Sequence, residues 1–198
     1  MSARRREFDA LYASARDPWD METSAYERAK YDATLAVLGD RYECALEVGC
    51  SIGVLSERLA GRCEQLVALD VSEVALARAR ERLATSPYGP RVTFRRAEVP
   101  GEWPEGRYDL VVLSEVLYFL EPDEVAALAR LSMRDLAPDG TVVCVNWTGE
   151  CDRTLDGDGA AEAFARAAHG LERTGGSRAD RYRIDLFRRA AVPVSIGA

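Results

Sequence analysis

The chain has 198 residues, 47% of them hydrophobic, which is enough for one well-buried core. Acidic residues outnumber basic ones by 33 to 26, and the net charge of −7 argues against nucleic acid or an anionic membrane as a partner. The sequence contains neither a membrane-length apolar run nor a signal core after the basic N-terminus, so a cytoplasmic location is expected. Five cysteines without a C-x-x-C pair predict reduced thiols and no metal site.

The N-terminal region reads as a lead-in followed by a helix. Residues 1–25 are polar with scattered aromatic side chains and predict a mobile lid or lead-in segment, in which the arginines at positions 4–6 form a solvated end. Helical spacing of apolar residues begins only in "SAYERAKYDATLAVLG" and ends at Gly39.

From Cys44 onward, short apolar runs alternate with helical patterns. Ser72 is a predicted N-cap and Pro122 a predicted first-turn residue. The last two runs are a weak strand and an alternating one, "RYRIDLF". This order predicts an α/β fold with a parallel sheet covered by helices on both faces. The predicted strands are 44–48, 65–70, 92–95, 108–113, 141–147, 171–174 and 181–187, and the predicted helices are about 54–61, 72–84, 122 to the residue before "APDG", and 159–169.

A glycine loop follows the first strand, in "ALEVGCSIGVLSERLA". Gly49 and Gly53 lie at the carboxyl end of a parallel strand, where open sheets bind ligands and where missing side chains allow close approach. Asp70 ends the next strand about 20 residues later, the spacing of a carboxylate that binds a ribose diol. The phosphate-binding loop is excluded because Val54 follows Gly53 where a lysine is required. Glu47 would repel a pyrophosphate but attract an ammonium or sulfonium group, so a cationic cofactor with an adenosine is favoured.

The segment 47–53, "EVGCSIG", resembles the first motif of class I S-adenosylmethionine (SAM)-dependent methyltransferases, E/D-x-G-x-G-x-G, with Ser51 at the middle glycine. The resemblance implies that Asp70 holds the ribose and that Glu98 binds the adenine amino group. The alternative for Asp70 is a helix-flanking acid, and for Glu98 an ion pair with the adjacent arginines at positions 95 and 96. The implied cofactor-binding set is Glu47, Gly49, Cys50, Ser51, Gly53, Asp70, Val71, Glu98, Val99, Ser114 and Trp19.

Within that superfamily the flanking segments resemble the nodulation protein S type of N-methyltransferase, which methylates an amino sugar of a chitooligosaccharide. The resemblance rests on Asp17-Pro18-Trp19, on "YERAKY" at 26–31 and on "SEVLYFL" at 114–120 followed by Glu121. It implies a Rossmann-like, doubly wound, seven-stranded sheet with an antiparallel last strand, in one methyltransferase domain over 1–198. The final third agrees less well, so the particular substrate does not carry over.

Candidate acceptor-site residues lie after the fourth strand. Methyl transfer requires alignment of an unprotonated nucleophile and exclusion of water, and needs no metal. Glu115 and Tyr118, three residues apart, are candidates to bind an amine and take its proton. Trp19 and Tyr12 are candidates to close over the bound molecules, and packing in the core is the alternative for the aromatic side chains.

Two further features have competing interpretations. The loop 146–159 carries four acids that could attract a cationic acceptor or form a solvated loop: Glu150, Asp152, Asp156 and Asp158. It lacks the calcium-loop pattern. His169, the single histidine, lies at a predicted helix end and is interpreted as a structural cap.

The sequence therefore predicts a SAM-dependent N-methyltransferase with a small-molecule acceptor and S-adenosylhomocysteine (SAH) as the second product. O-methylation of a sugar or small acid is a competing reaction, and a non-catalytic SAM-binding protein is a competing class. A nicotinamide oxidoreductase is disfavoured because Lys30 is the only lysine. The oligomeric state is left open.

Overall fold

The computed structural model describes residues 1–190. The helices are α1 (Ala3–Ser14), α2 (Ala25–Ala36), α3 (Val54–Ala60), α4 (Glu73–Leu83), α5 (Pro122–Asp135) and α6 (Gly157–Ala167). The strands are β1 (Tyr42–Val48), β2 (Cys63–Asp70), β3 (Val92–Arg96), β4 (Tyr108–Ser114), β5 (Leu136–Trp147), β6 (Leu171–Arg178) and β7 (Tyr182–Arg189). Short 3-10 turns cover Gly89–Arg91 and Leu117–Phe119.

The seven strands form one sheet in the order β3-β2-β1-β4-β5-β7-β6. Strand β7 runs antiparallel to both of its neighbours, and the other pairings are parallel. This arrangement confirms the predicted Rossmann-like sheet with an antiparallel last strand. The chain order reverses between β1 and β4, and the crevice at their carboxyl ends is where such sheets bind ligands.

Strand β4 shows why the sheet is covered on both sides. Its residues 110–113, "LVVL", are all fully buried. Alternate side chains of a strand point to opposite faces. Leu110 and Val112 accordingly pack in the core with α2 and α3, and Val111 and Leu113 pack in the core with α5 and α6.

Helix starts agree with the predicted capping signals. The Ser72 hydroxyl accepts a hydrogen bond from the Ala75 N–H at 3.3 Å. Pro122 occupies the first turn of α5, and Glu121 and Glu124 form a reciprocal capping box around it.

Within residues 1–190, no helix combines the length and the apolar character needed to cross a bilayer.

The sequence did not predict the N-terminal helix that residues 3–14 form. Helix α1 is tied to the domain by ion pairs, of Arg4 with Glu124 at 2.6 Å and of Asp9 with Arg96 at 2.6 Å, and by Tyr12, which is 2% exposed. The arginines at positions 4 and 5 are therefore not a solvated end. Contacts between charged residues distant in sequence do not require an apolar stripe along the helix, so hydrophobic periodicity did not reveal α1.

Other boundaries shift by a few residues. Strand β5 begins at Leu136, so "LAPDG" is part of the strand and not the turn that precedes it. The pairing of β5 with β4 shifts register between Tyr108 and Leu110, where that extension joins the regular ladder. Strand β6 continues to Arg178 instead of ending at Thr174.

The loop after β1 uses left-handed backbone at Gly49, where φ is 83°. A Cβ at Gly49 would lie 2.8 Å from the Ser114 carbonyl oxygen, so β1 and β4 approach closely at this point. Both observations require glycine.

We expect Gly49→Ala to lower the free energy of unfolding by about 2 kcal/mol or more, through left-handed strain and the clash with Ser114. Urea titration measures this loss. Gly101→Ala is the matched control, since Gly101 is exposed and its added Cβ would lie no closer than 3.8 Å to another atom. Equal stability of the two variants would contradict the packing argument.

Candidate active site

Glu47 projects from β1 into the interior and is 1% exposed. One carboxylate oxygen accepts a hydrogen bond from the Ser56 hydroxyl at 2.6 Å. The other, Oε1, is buried without a hydrogen-bond partner among the described residues. Burial raises the pKa of Glu47 to about 7, the Ser56 hydrogen bond lowers it and the charge of Asp70 raises it further. The strand end thus carries a carboxylate with one oxygen available to a ligand.

Asp70 ends β2 and organises the glycine loop. Its Oδ2 accepts a hydrogen bond from the Ser51 N–H and its Oδ1 from the Ser72 N–H, each at 2.8 Å. Burial raises the pKa of Asp70 to about 6, although backbone hydrogen bonds lower it. The Ser72 contact is that of the helix-flanking acid considered as an alternative. The same carboxylate also lines the cavity described next.

A cavity of about 500 Å³ lies at the carboxyl ends of β1, β2 and β4. This volume is typical of small-molecule sites. All the predicted site residues except Gly53 line it: Trp19, Glu47, Gly49, Cys50, Ser51, Asp70, Val71, Glu98, Val99, Ser114, Glu115 and Tyr118. Gly53 instead faces α4, where an added Cβ would lie 3.0 Å from the Ala79 Cβ.

Ser51, at the position of the middle glycine, adopts a left-handed φ of 51°. Its hydroxyl accepts a hydrogen bond of 2.5 Å from the phenol of Tyr12 on α1. Tyr12 contacts Trp19 edge to face, with ring centroids 5.5 Å apart. The two aromatic residues predicted to close over the site therefore lie together on the cavity wall.

Glu98 also lines the cavity, and its carboxylate already has partners within the chain. It accepts a hydrogen bond of 2.5 Å from the Ser2 hydroxyl and lies 3.4 Å from Arg4 and 3.5 Å from Arg5. The ion pair considered as an alternative is thus present, but its partners come from α1. Of the arginines next to it in sequence, Arg96 pairs with Asp9 instead.

Glu115 also lines the cavity and has a left-handed φ of 58° after β4. Its Oε2 accepts hydrogen bonds from the Tyr118 phenol at 2.6 Å and the Trp147 N–H at 2.9 Å. Its Oε1 accepts one from Lys30 at 2.6 Å. The structure thus brings the two predicted acceptor-site residues into contact.

Sequence reasoning missed the contribution of α2. Lys30 is 3% exposed and also pairs with Glu27 at 2.9 Å. Both line the cavity, together with Tyr26 and Tyr31. The signal was available in "YERAKY", since residues three and four apart share a helix face, and a lone lysine in an arginine-rich chain was a second indication.

Two of the four acids in the loop 146–159, Asp156 and Asp158, have partners within the chain. Asp156 caps α6 through the Gly159 N–H at 2.6 Å, and Asp158 pairs with Arg178 at 2.7 Å. The Arg178 and Arg183 hydrogen bonds hold the pKa of Asp158 at about 2. These two acids are therefore structural. Within residues 1–190, no group of His, Cys, Asp and Glu side chains is arranged to hold a metal.

Comparison with known proteins decides the family. The profile of the family described as Nodulation protein S (NodS) matches residues 5–168. The chain belongs to the nodulation protein S family.

Two family members show how far the similarity extends. Nodulation protein S of Sinorhizobium fredii is 35% identical over 136 residues, which cover 66% of this chain and 60% of that protein. The protein of the same name from Bradyrhizobium diazoefficiens is 35% identical over 154 residues, which cover 75% of this chain and 72% of that protein. The chain thus matches less than two thirds of the length of the first relative.

A solved structure of the family shares the fold. It is N-methyltransferase NodS from Bradyrhizobium japonicum in complex with S-adenosyl-L-homocysteine. Its TM-score is 0.81 at 20% identity, and the alignment covers 96% of this chain and 100% of that one.

The buried carboxylates predict a pH dependence of stability. The folded-state pKa of Glu47 is raised to about 7, so its ionisation opposes folding as pH rises from the unfolded pKa to that value. Asp70, raised to about 6, acts in the same direction. The ligand-free chain should therefore lose unfolding free energy from about pH 4 to about pH 7, with up to about 3 kcal/mol due to Glu47.

Glu47→Gln removes that ionisation and keeps an oxygen for Ser56. Its stability relative to wild type should therefore rise with pH, as measured by urea titration across this range. Glu43→Gln, an exposed position on the same strand, is the control that should follow wild type. Parallel profiles for wild type and Glu47→Gln would show that Glu47 ionises without penalty.

Proposed function

We propose that this chain is a SAM-dependent methyltransferase that transfers a methyl group to the amine nitrogen of a small polar acceptor. The whole chain, residues 1–198, would be one methyltransferase domain. An amino sugar or a related natural-product intermediate is the proposed acceptor class. Support from the family comes from the B. japonicum protein, which is named an N-methyltransferase.

The observation that carries the proposal is the unpartnered oxygen of Glu47. A buried carboxylate oxygen without a donor favours a ligand that brings positive charge and N–H groups. SAM has both in its α-ammonium, and its sulfonium adds a second positive charge. A nicotinamide dinucleotide would bring a pyrophosphate to two carboxylates whose raised pKa values already reflect burial without compensation. The residues present therefore fit SAM.

The cavity walls suggest which residues would hold each part of the cofactor. Glu47 would accept from the ammonium. Asp70 would accept from the ribose hydroxyls, since the backbone N–H groups of Ser51, Ser72 and Val71 use at most three of its about four acceptor positions. Val71 and Val99 would contact the adenine ring. Glu98 would accept from the adenine amino group through an acceptor position that the Ser2 hydroxyl does not use.

SAM supplies an electrophilic methyl group, and transfer converts the sulfonium to a neutral thioether as the N–C bond forms. The contribution of the chain is to place the acceptor nitrogen about 3 Å from that methyl group and to exclude water. Tyr12 and Trp19 serve the second purpose, because they lie together on the cavity wall. An ammonium acceptor must first lose a proton, which passes to water at the cavity mouth.

Cofactor binding tests the proposal directly. Calorimetry should show SAM and SAH binding to the full chain, and no binding of NADH. Glu47→Gln should weaken SAM about 10- to 100-fold, the effect of losing one charged hydrogen bond, while Glu43→Gln binds as wild type does. Since Glu47 and Asp70 titrate between about 6 and about 7, SAM binding in this range should release protons, detected as a dependence of the heat on buffer. Binding of NADH in preference to SAM would refute the proposal.

The nature of the acceptor atom requires a second test. Transfer of labelled methyl from SAM should occur to amino sugars with a free amine and should be lost when that amine is N-acetylated. Mass spectrometry of the product locates the added methyl group. Undiminished methylation of the blocked amine would establish O-methylation instead.

A further inference from the structure

We propose that Lys30 is a positioning residue that, through Glu115, orients the Tyr118 phenol so that its oxygen accepts a hydrogen bond from an N–H group of the methyl acceptor. This inference rests on the proposed function and deepens it. It makes Tyr118 the residue that contacts the acceptor and assigns Glu115 a supporting role, in place of the role of base suggested by the sequence.

Lys30 is held from two sides. Its ammonium lies 2.9 Å from Glu27 Oε1 and 2.6 Å from Glu115 Oε1, and 5.3 Å from the centre of the Tyr26 ring. The two carboxylates keep the pKa of Lys30 above its ordinary value despite burial. A buried ammonium with two carboxylate partners is a fixed cation and not a proton-transfer group.

Glu115 has few hydrogen-bond acceptor positions left for a ligand. A carboxylate offers about four acceptor positions, and three are used by Lys30, Tyr118 and the Trp147 N–H. The left-handed backbone at this residue fixes where the carboxylate lies. Glu115 thus acts as a rigid acceptor for Tyr118.

Tyr118 becomes selective because a phenol has a single proton. That proton is donated to Glu115 Oε2 at 2.6 Å, since a carboxylate can only accept. The phenol oxygen is therefore left with lone pairs alone, and Tyr118 lines the cavity. Burial and the charge of Glu115 raise the pKa of Tyr118 well above its ordinary value, so the phenol stays neutral. A neutral phenol oxygen that can only accept hydrogen bonds will bind a methyl acceptor that carries an N–H donor.

The charge of the cluster favours the same acceptor class. Glu27 and Glu115 contribute two carboxylates against the single ammonium of Lys30, so these three residues together have a formal charge of −1. Arg181 lies over the Tyr26 ring, 5.8 Å from its centre, and Arg153 also lines the cavity, so positive charge is present beside the cluster as well. The carboxylates of the cluster and the aromatic faces of Tyr26 and Tyr118, which line the cavity, attract a cationic amine.

The single lysine allows a test that does not depend on turnover. Full-length chain labelled with ε-13C lysine should give one side-chain NMR signal, from Lys30. With SAH bound, millimolar glucosamine should shift this signal in wild type and not in Tyr118→Phe. Tyr88→Phe, at an exposed tyrosine, is the matched control and should respond as wild type does. SAH affinity should be unchanged in both variants.

Kinetics with glucosamine test the role of Lys30. Tyr118→Phe should lower kcat/KM about tenfold, as expected for one hydrogen bond. Lys30→Met should lower kcat/KM at least as far without changing SAH affinity, and Lys30→Arg should restore part of the loss because it keeps the charge. Tyr118→Phe keeps the ring and so remains informative if Lys30→Met does not fold.

Two outcomes would overturn the inference. One is an equal response of the Lys30 signal to glucosamine in wild type and Tyr118→Phe. The other is no response in a wild-type chain that binds SAH, which would refute Tyr118 as a contact for amines of this class. The second result leaves the cofactor proposal standing, whereas loss of SAH binding in wild type would contradict the proposed function itself.

Discussion

Two carboxylates, Glu47 and Asp70, are buried side by side at the ends of adjacent parallel strands, and no lysine or arginine in the described part of the chain forms an ion pair with either. The sheet geometry imposes this proximity, because β1 and β2 are paired up to Val48 and Leu69. Burying ionised groups without a counter-charge is unfavourable, as their raised pKa values reflect. The fold tolerates this arrangement at the crevice where it places a ligand, and a cationic ligand would relieve it.

Glu115, which lines the same cavity, has its counter-charge within the chain. Lys30 reaches Glu115 across 85 residues of sequence and neutralises one carboxylate there. A ligand beside Tyr118 meets a neutral phenol and a carboxylate already paired with an ammonium, in place of two carboxylates without counter-charge. The two groups of residues therefore differ in what they favour in a ligand. Glu47 and Asp70 favour positive charge, and Tyr118 discriminates by hydrogen-bond direction.

The parts of this arrangement that sequence reasoning recovered are local ones. The strands, the Ser72 and Pro122 helix starts and the cofactor motif depend on neighbouring residues, and apolar runs, capping side chains and glycine spacing report them directly. What it missed depends on pairs distant in sequence. Helix α1 is held by Arg4 with Glu124 and by Tyr12 with Ser51, and neither contact has a periodic signature. Glu98 lines the cavity, and its partners on α1 were not foreseen.

The same distinction explains why the acceptor is harder to infer than the cofactor. Glu47, Ser51 and Asp70 lie on one continuous unit of β1, the glycine loop, α3 and β2, so their relative positions follow from the fold alone. Lys30 and Tyr118 belong to α2 and to the turn after β4, and only tertiary packing brings them together. A substitution in α2 can therefore change which hydrogen-bond groups face the acceptor and leave the unit that carries Glu47 and Asp70 untouched. Acceptor specificity is for this reason a property of contacts between elements, and a motif read from one segment cannot contain it.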